Sequence, residues 1–440
     1  VLLNNSGKGD NMPETKQFTL GLNLEDYAYD ARHCVSCHQC RWIDLNYVPG
    51  LDFSWKCPPW QYKQLDAYGA EGKSRIVYDL LKGRLDWSAP KLKDIVYECC
   101  LCGACDMGCK RNLDFERQMM LEALRGKFVE EGYGPLPAHE QWTRNIEAKG
   151  NPFGDEPARR LDWLPADVNP QDKADLLYFV GCRASFRDTD ISKATARILY
   201  AAGADFMLMA DEPCCGHFLF ATGQVEKARQ TAKNNLKLIR ETGASKVIFS
   251  CAHGYKTVKV DYPKLLGIST SDLGFEVVHL VEMVEEWVKD GTLKLDNKID
   301  MKVTYHDPCN LGRLSDPWVH WEGTRGEWGI LEPTREFRRG LNGVYEPPRS
   351  ILRAIPGIEL VEMFRHHENA WCCGSDGGVK QAYPDLASWT AGERLREASA
   401  VGAEAIVSCC PACRESFSEV ADSSMAVLDI TELLIRAMGK

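Results

Sequence analysis

The 440-residue sequence has no apolar run approaching the roughly 20 residues that a bilayer-spanning helix requires, so it predicts no membrane span of its own. It has no excess of positive charge. Its 53 Lys and Arg stand against 63 Asp and Glu, a net charge of −10, which argues against a dedicated nucleic-acid binder. No nucleotide fingerprint is present: GSDGG (374–378) lacks the spacing and setting of a dinucleotide site, so any flavin or nicotinamide is expected on a partner. The opening VLLNNSGKGDN lacks a basic start, an apolar core and a cleavage pattern. That predicts no secretory leader, a cytoplasmic location and an N-terminal arm over residues 1–30, with Met12 as an alternative start. Between Lys110 and Gly181 there is no cysteine at all.

Elsewhere cysteine is abundant. Nineteen fall into four groups, 34–57, 99–109, 182–251 and 309–413. In a reducing compartment, dense and regularly spaced cysteines bind metal or do redox work rather than form disulfides. Cys99, Cys102, Cys105 and Cys109 follow C-x2-C-x2-C-x3-C, and Cys34, Cys37 and Cys40 repeat the x2-x2 spacing, with Cys57 before Pro58 as the fourth member. Two-residue loops suit zinc as well, but a third and fourth cysteine at this spacing favour iron–sulfur. This module (31–130) resembles a bacterial two-[4Fe–4S] ferredoxin. The resemblance implies two cubane clusters, one on Cys34, Cys37, Cys40 and Cys109, the other on Cys99, Cys102, Cys105 and Cys57. It departs from the pattern in the sixteen residues between Cys40 and Cys57 and in Lys110, where proline is usual. Cys100 is surplus and reads as a small buried hydrophobe.

After a linker rich in Pro, Gly and acidic residues (131–172), two copies of one unit follow, 173–300 and 301–440. LLYFVGC is matched by KVTYHDPC, DEPCCG by NAWCCG, and TGASKVIFSCAHG by VGAEAIVSCCPAC. Each reads strand, cysteine, helix, strand, cysteine pair, helix, strand, cysteine. Short bounded apolar runs alternating with amphipathic helices predict a small parallel α/β sheet per copy, with cysteines at the strand C-terminal ends.

These residues resemble the CCG domain of heterodisulfide reductase subunits. Thirty-one residues separate Cys182 from the Cys214–Cys215–Gly216 triplet, and 35 separate Cys215 from Cys251. In the second copy 62 separate Cys309 from Cys372–Cys373–Gly374, and 36 separate Cys373 from Cys410, with Cys413 completing C-x-x-C. The order, ferredoxin module then two CCG domains, is also similar to iron–sulfur subunits of glycolate oxidase, of anaerobic glycerol-3-phosphate dehydrogenase and of class II benzoyl-CoA reductase complexes. The expected fold is therefore α+β and multidomain: a mostly helical ferredoxin-like domain followed by two pseudo-repeated α/β CCG domains.

The resemblance implies a noncubane [4Fe–4S] cluster on Cys309, Cys372, Cys373, Cys410 and Cys413, with the glycine of each triplet admitting the cluster to the backbone. The first copy departs from it. Gly254 stands where the last cysteine should be, leaving Cys182, Cys214, Cys215 and Cys251. A further [4Fe–4S] cluster, zinc, an empty scaffold, or a cluster completed by His253 all stay open at this stage. Cys409 reads as packing. His306 and His217 are candidate proton carriers, or fillers of polar corners, and Lys380 a candidate offset to cluster charge. The insertion 310–350, with Trp318, Trp321, Trp328 and Arg313, Arg325, Arg335, Arg338, Arg339, is expected to cover the cluster, dock a partner or fold as a surface excursion.

The functional expectation is an iron–sulfur electron-transfer subunit of a multi-subunit anaerobic redox complex. It would relay electrons through two cubanes to the C-terminal cluster, between flavin-, haem- or metal-containing partners, with membrane association through a partner left open. The alternative is a catalytic subunit reducing a thiol–disulfide substrate at that cluster. No catalytic residue is assigned.

Overall fold

The computed structural model describes residues 21–43, 50, 52–109, 115–319, 321, 323–326, 330–335 and 337–439. Met12, Lys110 and Trp328 lie outside the described residues, as does the side chain of Arg325.

The N-terminal third is helical. Short helices Pro58–Lys63, Ala70–Leu81, Leu92–Tyr97 and Ala104–Cys109 lead into Arg117–Glu130, around a core of Val77, Leu80, Val96, Tyr97, Met120 and Leu124. The stretch 131–172 carries a helix that its composition hid, Pro137–Lys149, opened by a proline in the first turn and closed by Gly150 in the left-handed region. Its inward face is polar as well as apolar (His139, Thr143, Ile146), which is why no hydrophobic period marked it.

Two parallel four-stranded sheets follow. The first has β1 (Leu176–Phe179), β2 (Phe206–Met207), β3 (Lys246–Phe249) and β4 (Glu276–His279), in the order β2-β1-β3-β4. In the second half come β5 (Met301–Tyr305), a two-stranded hairpin β6 (Thr324–Arg325) and β7 (Leu331–Glu332), then β8 (Ile358–Leu360), β9 (Ala405–Ser408) and β10 (Ala426–Asp429). The second sheet runs β8-β5-β9-β10, the same topology as the first. Leu177, Tyr178 and Phe179 of β1 are fully buried, as are Val303 and Tyr305 of β5. Each such side chain contributes about 1.5–3 kcal/mol. Helices cover the sheets as the periodicity predicts: Val225–Thr242 buries Ala228, Ala232, Leu236 and Ile239, and ends at Gly243.

The fourth strand of each sheet was not anticipated. Both signals were present: a short apolar run, then a helix opened by a capping box, His279 with Glu282 and Asp429 with Glu432.

The copies pack reciprocally. Helix Thr189–Ala201 of the first lies on Ile430–Ala437 of the second, while Leu280–Lys289 of the first lies on Glu346–Ala354 of the second. The halves are thus related by a pseudo-twofold axis, as in a C2 dimer fused into one chain. Among the described residues no helix is long and apolar enough to cross a membrane.

Candidate metal centres and their junction

In the helical module, Cys57, Cys99, Cys102 and Cys105 line one small cavity, with Cys100 and Gly103. Burial pushes the Cys57 thiol up to about 12 and Cys105 well above its ordinary value. Cys57 and Cys105 thus keep their protons until a metal displaces them. A set of four around a cavity therefore fits a cubane. The other set sits at the surface: Cys37 is exposed, Cys34 half-buried, Cys40 and Cys109 buried. The Arg117 guanidinium lies beside Cys109 and Cys34, and the Phe115 N–H donates to Cys109 Sγ at 3.4 Å. Gly108 lets the two cysteine loops meet, because a Cβ there would stand 1.9 Å from the Gln39 carbonyl oxygen.

The buried set reaches across into the second copy. Cys372 is within hydrogen-bonding reach of Cys100, Cys102, Cys309 and Cys373. The Cys372 contact leads the influences that lower Cys102 to about 6; burial opposes it and the Arg313 guanidinium assists. Arg313 is buried at this junction, donating to the carbonyls of Cys102 at 2.9 Å and Ala370 at 2.6 Å. Arg339 pairs with Asp106 at 2.7 Å and with Glu116 at 3.3 Å, and Arg335 pairs with Glu116 at 3.3 Å. Arg313, Arg335 and Arg339 of the insertion thus face the cysteine module from inside the molecule.

The thiols of the second copy form a connected series. Cys373 lies within reach of Cys372 and Cys413, and Cys410 within reach of Cys413. His306 closes the group: its ring nitrogen and the sulfurs of Cys373 and Cys413 all lie within 4.8 Å of one another. Arg394 Nε donates to His306 Nδ1 at 3.1 Å, which leaves the ring proton on Nε2. Burial holds the imidazole below its ordinary pKa, so it is neutral. Gly374 sits at φ +85°, and a Cβ there would meet the Ala387 carbonyl oxygen at 2.6 Å. Its N–H donates to Cys372 Sγ at 3.3 Å, so this glycine also serves helix packing and points an N–H at sulfur.

The first copy gathers only part of its set. Cys214 is within reach of Cys182 and Cys215. Arg160 donates to Cys182 Sγ at 3.7 Å and pairs with the buried Glu212 at 2.8 Å. Cys251 lies instead against its own counterpart, Cys410, so the two equivalent cysteines meet at the pseudo-twofold axis. The strand registers explain the rest. Tyr178 opposes Ile248 in one sheet as Tyr305 opposes Val407 in the other. Hence Phe179 and Phe249 occupy the places of His306 and Ser408, and their rings pack at 5.2 Å. A Cβ on Gly254 would stand 3.0 Å from the Phe249 ring. Aromatic volume stands where the second copy has Cys413 and its neighbours. The same register accounts for Cys409: its sulfur faces Tyr305 Oη at 2.9 Å, as Ser250 Oγ faces Tyr178 Oη at 2.8 Å.

Two other sequence expectations are corrected. Lys380 pairs with Glu415 at 2.7 Å and Glu419 at 2.8 Å rather than offsetting cluster charge. His253 does not join the thiols of its own copy; it stacks on His217, ring centroids 4.3 Å apart. Arg125 carried no motif and escaped notice. It donates to the carbonyls of Val96 and Tyr97 in the helical module, Ala221 in the first copy and Gly377 in the second.

Residues 176–259 and 335–418 match the Cysteine-rich domain (CCG) family. The chain is 34% identical over 418 residues to a subunit of the dihydromethanophenazine:CoB–CoM heterodisulfide reductase of Methanosarcina mazei, covering 92% of this chain and 93% of that one. It is 27% identical to a subunit of the fumarate reductase (CoM/CoB) of Methanothermobacter marburgensis, covering 94% of this chain and 74% of that one. A hypothetical protein from Helicobacter pylori shares the fold, with a TM-score of 0.51 at 10% identity over 84% of this chain and 68% of that one. Two CCG domains behind a cysteine-lined helical module, with this similarity along nearly the whole chain, make it a member of the CCG-containing heterodisulfide reductase family of iron–sulfur proteins.

Proposed function

We propose that the chain is the electron-relay component of a multi-subunit, heterodisulfide-reductase-like redox complex. Two cubanes would be held by Cys34, Cys37, Cys40 and Cys109 and by Cys57, Cys99, Cys102 and Cys105. A noncubane cluster would be held by Cys309, Cys372, Cys373, Cys410 and Cys413. Bound there, iron–sulfur clusters supply one-electron steps. The contact that carries this reading is Cys102 with Cys372, which joins a surface-to-interior series of thiols in the helical module to those of the second copy. The exposed loop at Cys37 is the end open to a redox partner, and Arg313 and Arg339 hold the insertion over the inner end. Charge entering this region would meet the buried guanidinium of Arg313, which donates to backbone carbonyls. The first copy, with its thiols divided between Cys182, Cys214 and Cys215 on one side and Cys251 on the other, is read as scaffold.

The catalytic reading is favoured by one feature, His306. Its ring lies in the same group as two of the thiols, and the N–H it carries can donate a hydrogen bond that steadies a departing thiolate. Rapid-freeze EPR during reduction by a low-potential donor separates the readings. In the relay the C-terminal signal follows the cubane signals and is abolished by Cys99→Ala, with no substrate required. A C-terminal signal that develops at the wild-type rate in Cys99→Ala contradicts the relay. Turnover of a disulfide by the isolated chain establishes catalysis.

A further inference from the structure

One cluster of ligand-forming groups takes no part in the thiol series. His217, His253 and Asp376 each present a ligand atom, and all three atoms lie within 4.8 Å of one another. The first two come from the first copy and the third from the second, so the cluster straddles the pseudo-twofold axis beside Cys251 and Cys410. The three occupy positions where the copies diverge: the second copy has Ser375 for His217 and Ala412 for His253, and the first has Phe218 for Asp376. The molecule therefore has one such cluster, not a symmetric pair.

We propose that His217, His253 and Asp376 form a site for a single divalent cation of the zinc or ferrous class, distinct from the thiolate clusters. Two imidazoles and one carboxylate suit either ion, and three protein ligands leave a coordination position open. The site is built for the purpose. The rings of His217 and His253 are stacked within 8° of parallel, and both reach the one carboxylate: His217 Nε2 lies 2.8 Å from Oδ1 of Asp376, His253 Nε2 3.8 Å from Oδ2. The other nitrogen of His217 is fixed by Thr257 Oγ1 at 3.1 Å, an outer-shell bond that aims Nε2 at the carboxylate, where a metal would displace the proton the two now share. Asp376 is buried and also held by Asn310 Nδ2 at 2.7 Å. The oxygen of that same carboxamide is buried without a hydrogen-bond partner, an acceptor suited to a metal-bound water. The nearby buried Lys256 does not cancel the site's charge, because Asp261 and Glu122 pair with it at 2.6 and 3.3 Å.

The cation site does not depend on the relay and is tested separately from it. The full chain, prepared anaerobically, is loaded with zinc ions alone or ferrous ions alone and desalted. Metal and acid-labile sulfide are then counted. The expected result is one ion per chain beyond sulfide-matched iron, with nitrogen and oxygen neighbours in its X-ray absorption spectrum. His217→Ala and Asp376→Asn lose that ion and keep their sulfide, and Thr257→Val weakens zinc binding about 10- to 100-fold. No excess ion in the wild type, sulfur-only neighbours, or an ion retained in both His217→Ala and Asp376→Asn overturns the proposal. If a variant also loses sulfide, the wild-type absorption spectrum decides.

Discussion

The two CCG copies share strand order, register and reciprocal helix packing, yet they treat their cysteines differently. The second copy draws its thiols into one series closed by His306. The first holds three together, gives the fourth to the axis, and fills the remaining corner with Phe179 and Phe249. A fold duplicated in the sequence is therefore not a site duplicated in the structure. Glycine at 254 opposite Cys413 is the visible part of a larger difference, in which Phe179 and Phe249 stand where the second copy has His306 and Ser408. Each copy still keeps a buried carboxylate–guanidinium pair beside its first cysteine, Glu212 with Arg160 and Asp307 with Arg349.

The comparison can be broken or sharpened at several points. The largest effect is expected at the ion pairs. Arg349→Ala leaves the buried Asp307 without its guanidinium partner and the half-buried Glu362 without one too, and costs about 3–5 kcal/mol in chemical denaturation. Arg160→Ala costs less, because Glu212 keeps two backbone donors, the N–H groups of Val180 and Gly181 at 2.7 and 2.9 Å, where Asp307 keeps the N–H of His367 at 2.9 Å. Equal losses contradict the assigned roles.

The helix caps that close the two sheets titrate in opposite senses. Burial raises Asp429 to about 7 and lowers His279 to about 4. Because the folded Asp429 binds its proton more tightly than the unfolded chain does, its contribution is full below the unfolded pKa, near 4, and lost as pH rises through 7. For His279 the sign reverses: its contribution is present above about 6.5 and lost as pH falls toward 4. Asp429→Asn should remove a stability loss on the order of 3 kcal/mol between pH 4 and 8, and His279→Asn the opposing slope. Denaturation across that range checks both, and unchanged slopes count against the burial argument.

A smaller effect tests the aromatic plug. Gly254→Cys alone forces a side chain against Phe249, costs about 1–3 kcal/mol and adds no iron. Combined with Phe249→Ser it gains room, and the cost of the cysteine falls even though removing the ring destabilises the sheet. Additive penalties in the double-mutant cycle contradict the plug. Smallest of all, Cys409→Ser keeps the tyrosine hydrogen bond that Ser250 makes in the first copy, so it should change stability by less than about 1 kcal/mol and leave the iron content intact.

Much of this was legible in the sequence. Apolar strand runs bounded by cysteines gave the repeat, and the cysteine spacing gave both cysteine loops and the CCG pairs, since short-range spacing survives folding unchanged. The meeting of Cys251 with Cys410 was not legible, because it depends on a pseudo-twofold axis that only packing creates. Nor was Arg125, whose partners are backbone carbonyls and leave no mark in a motif. The helix Pro137–Lys149 was hidden by its polar inner face, and Trp328 of the insertion lies outside the described residues.

The most direct test of the central claim, that the copies differ in what they hold, is iron counting with Mössbauer spectroscopy on anaerobically purified wild type, Cys373→Ala and Cys182→Ala. The account predicts about twelve irons in the wild type, about a third of them lost in Cys373→Ala and none in Cys182→Ala. Equal iron loss in the two variants would contradict it.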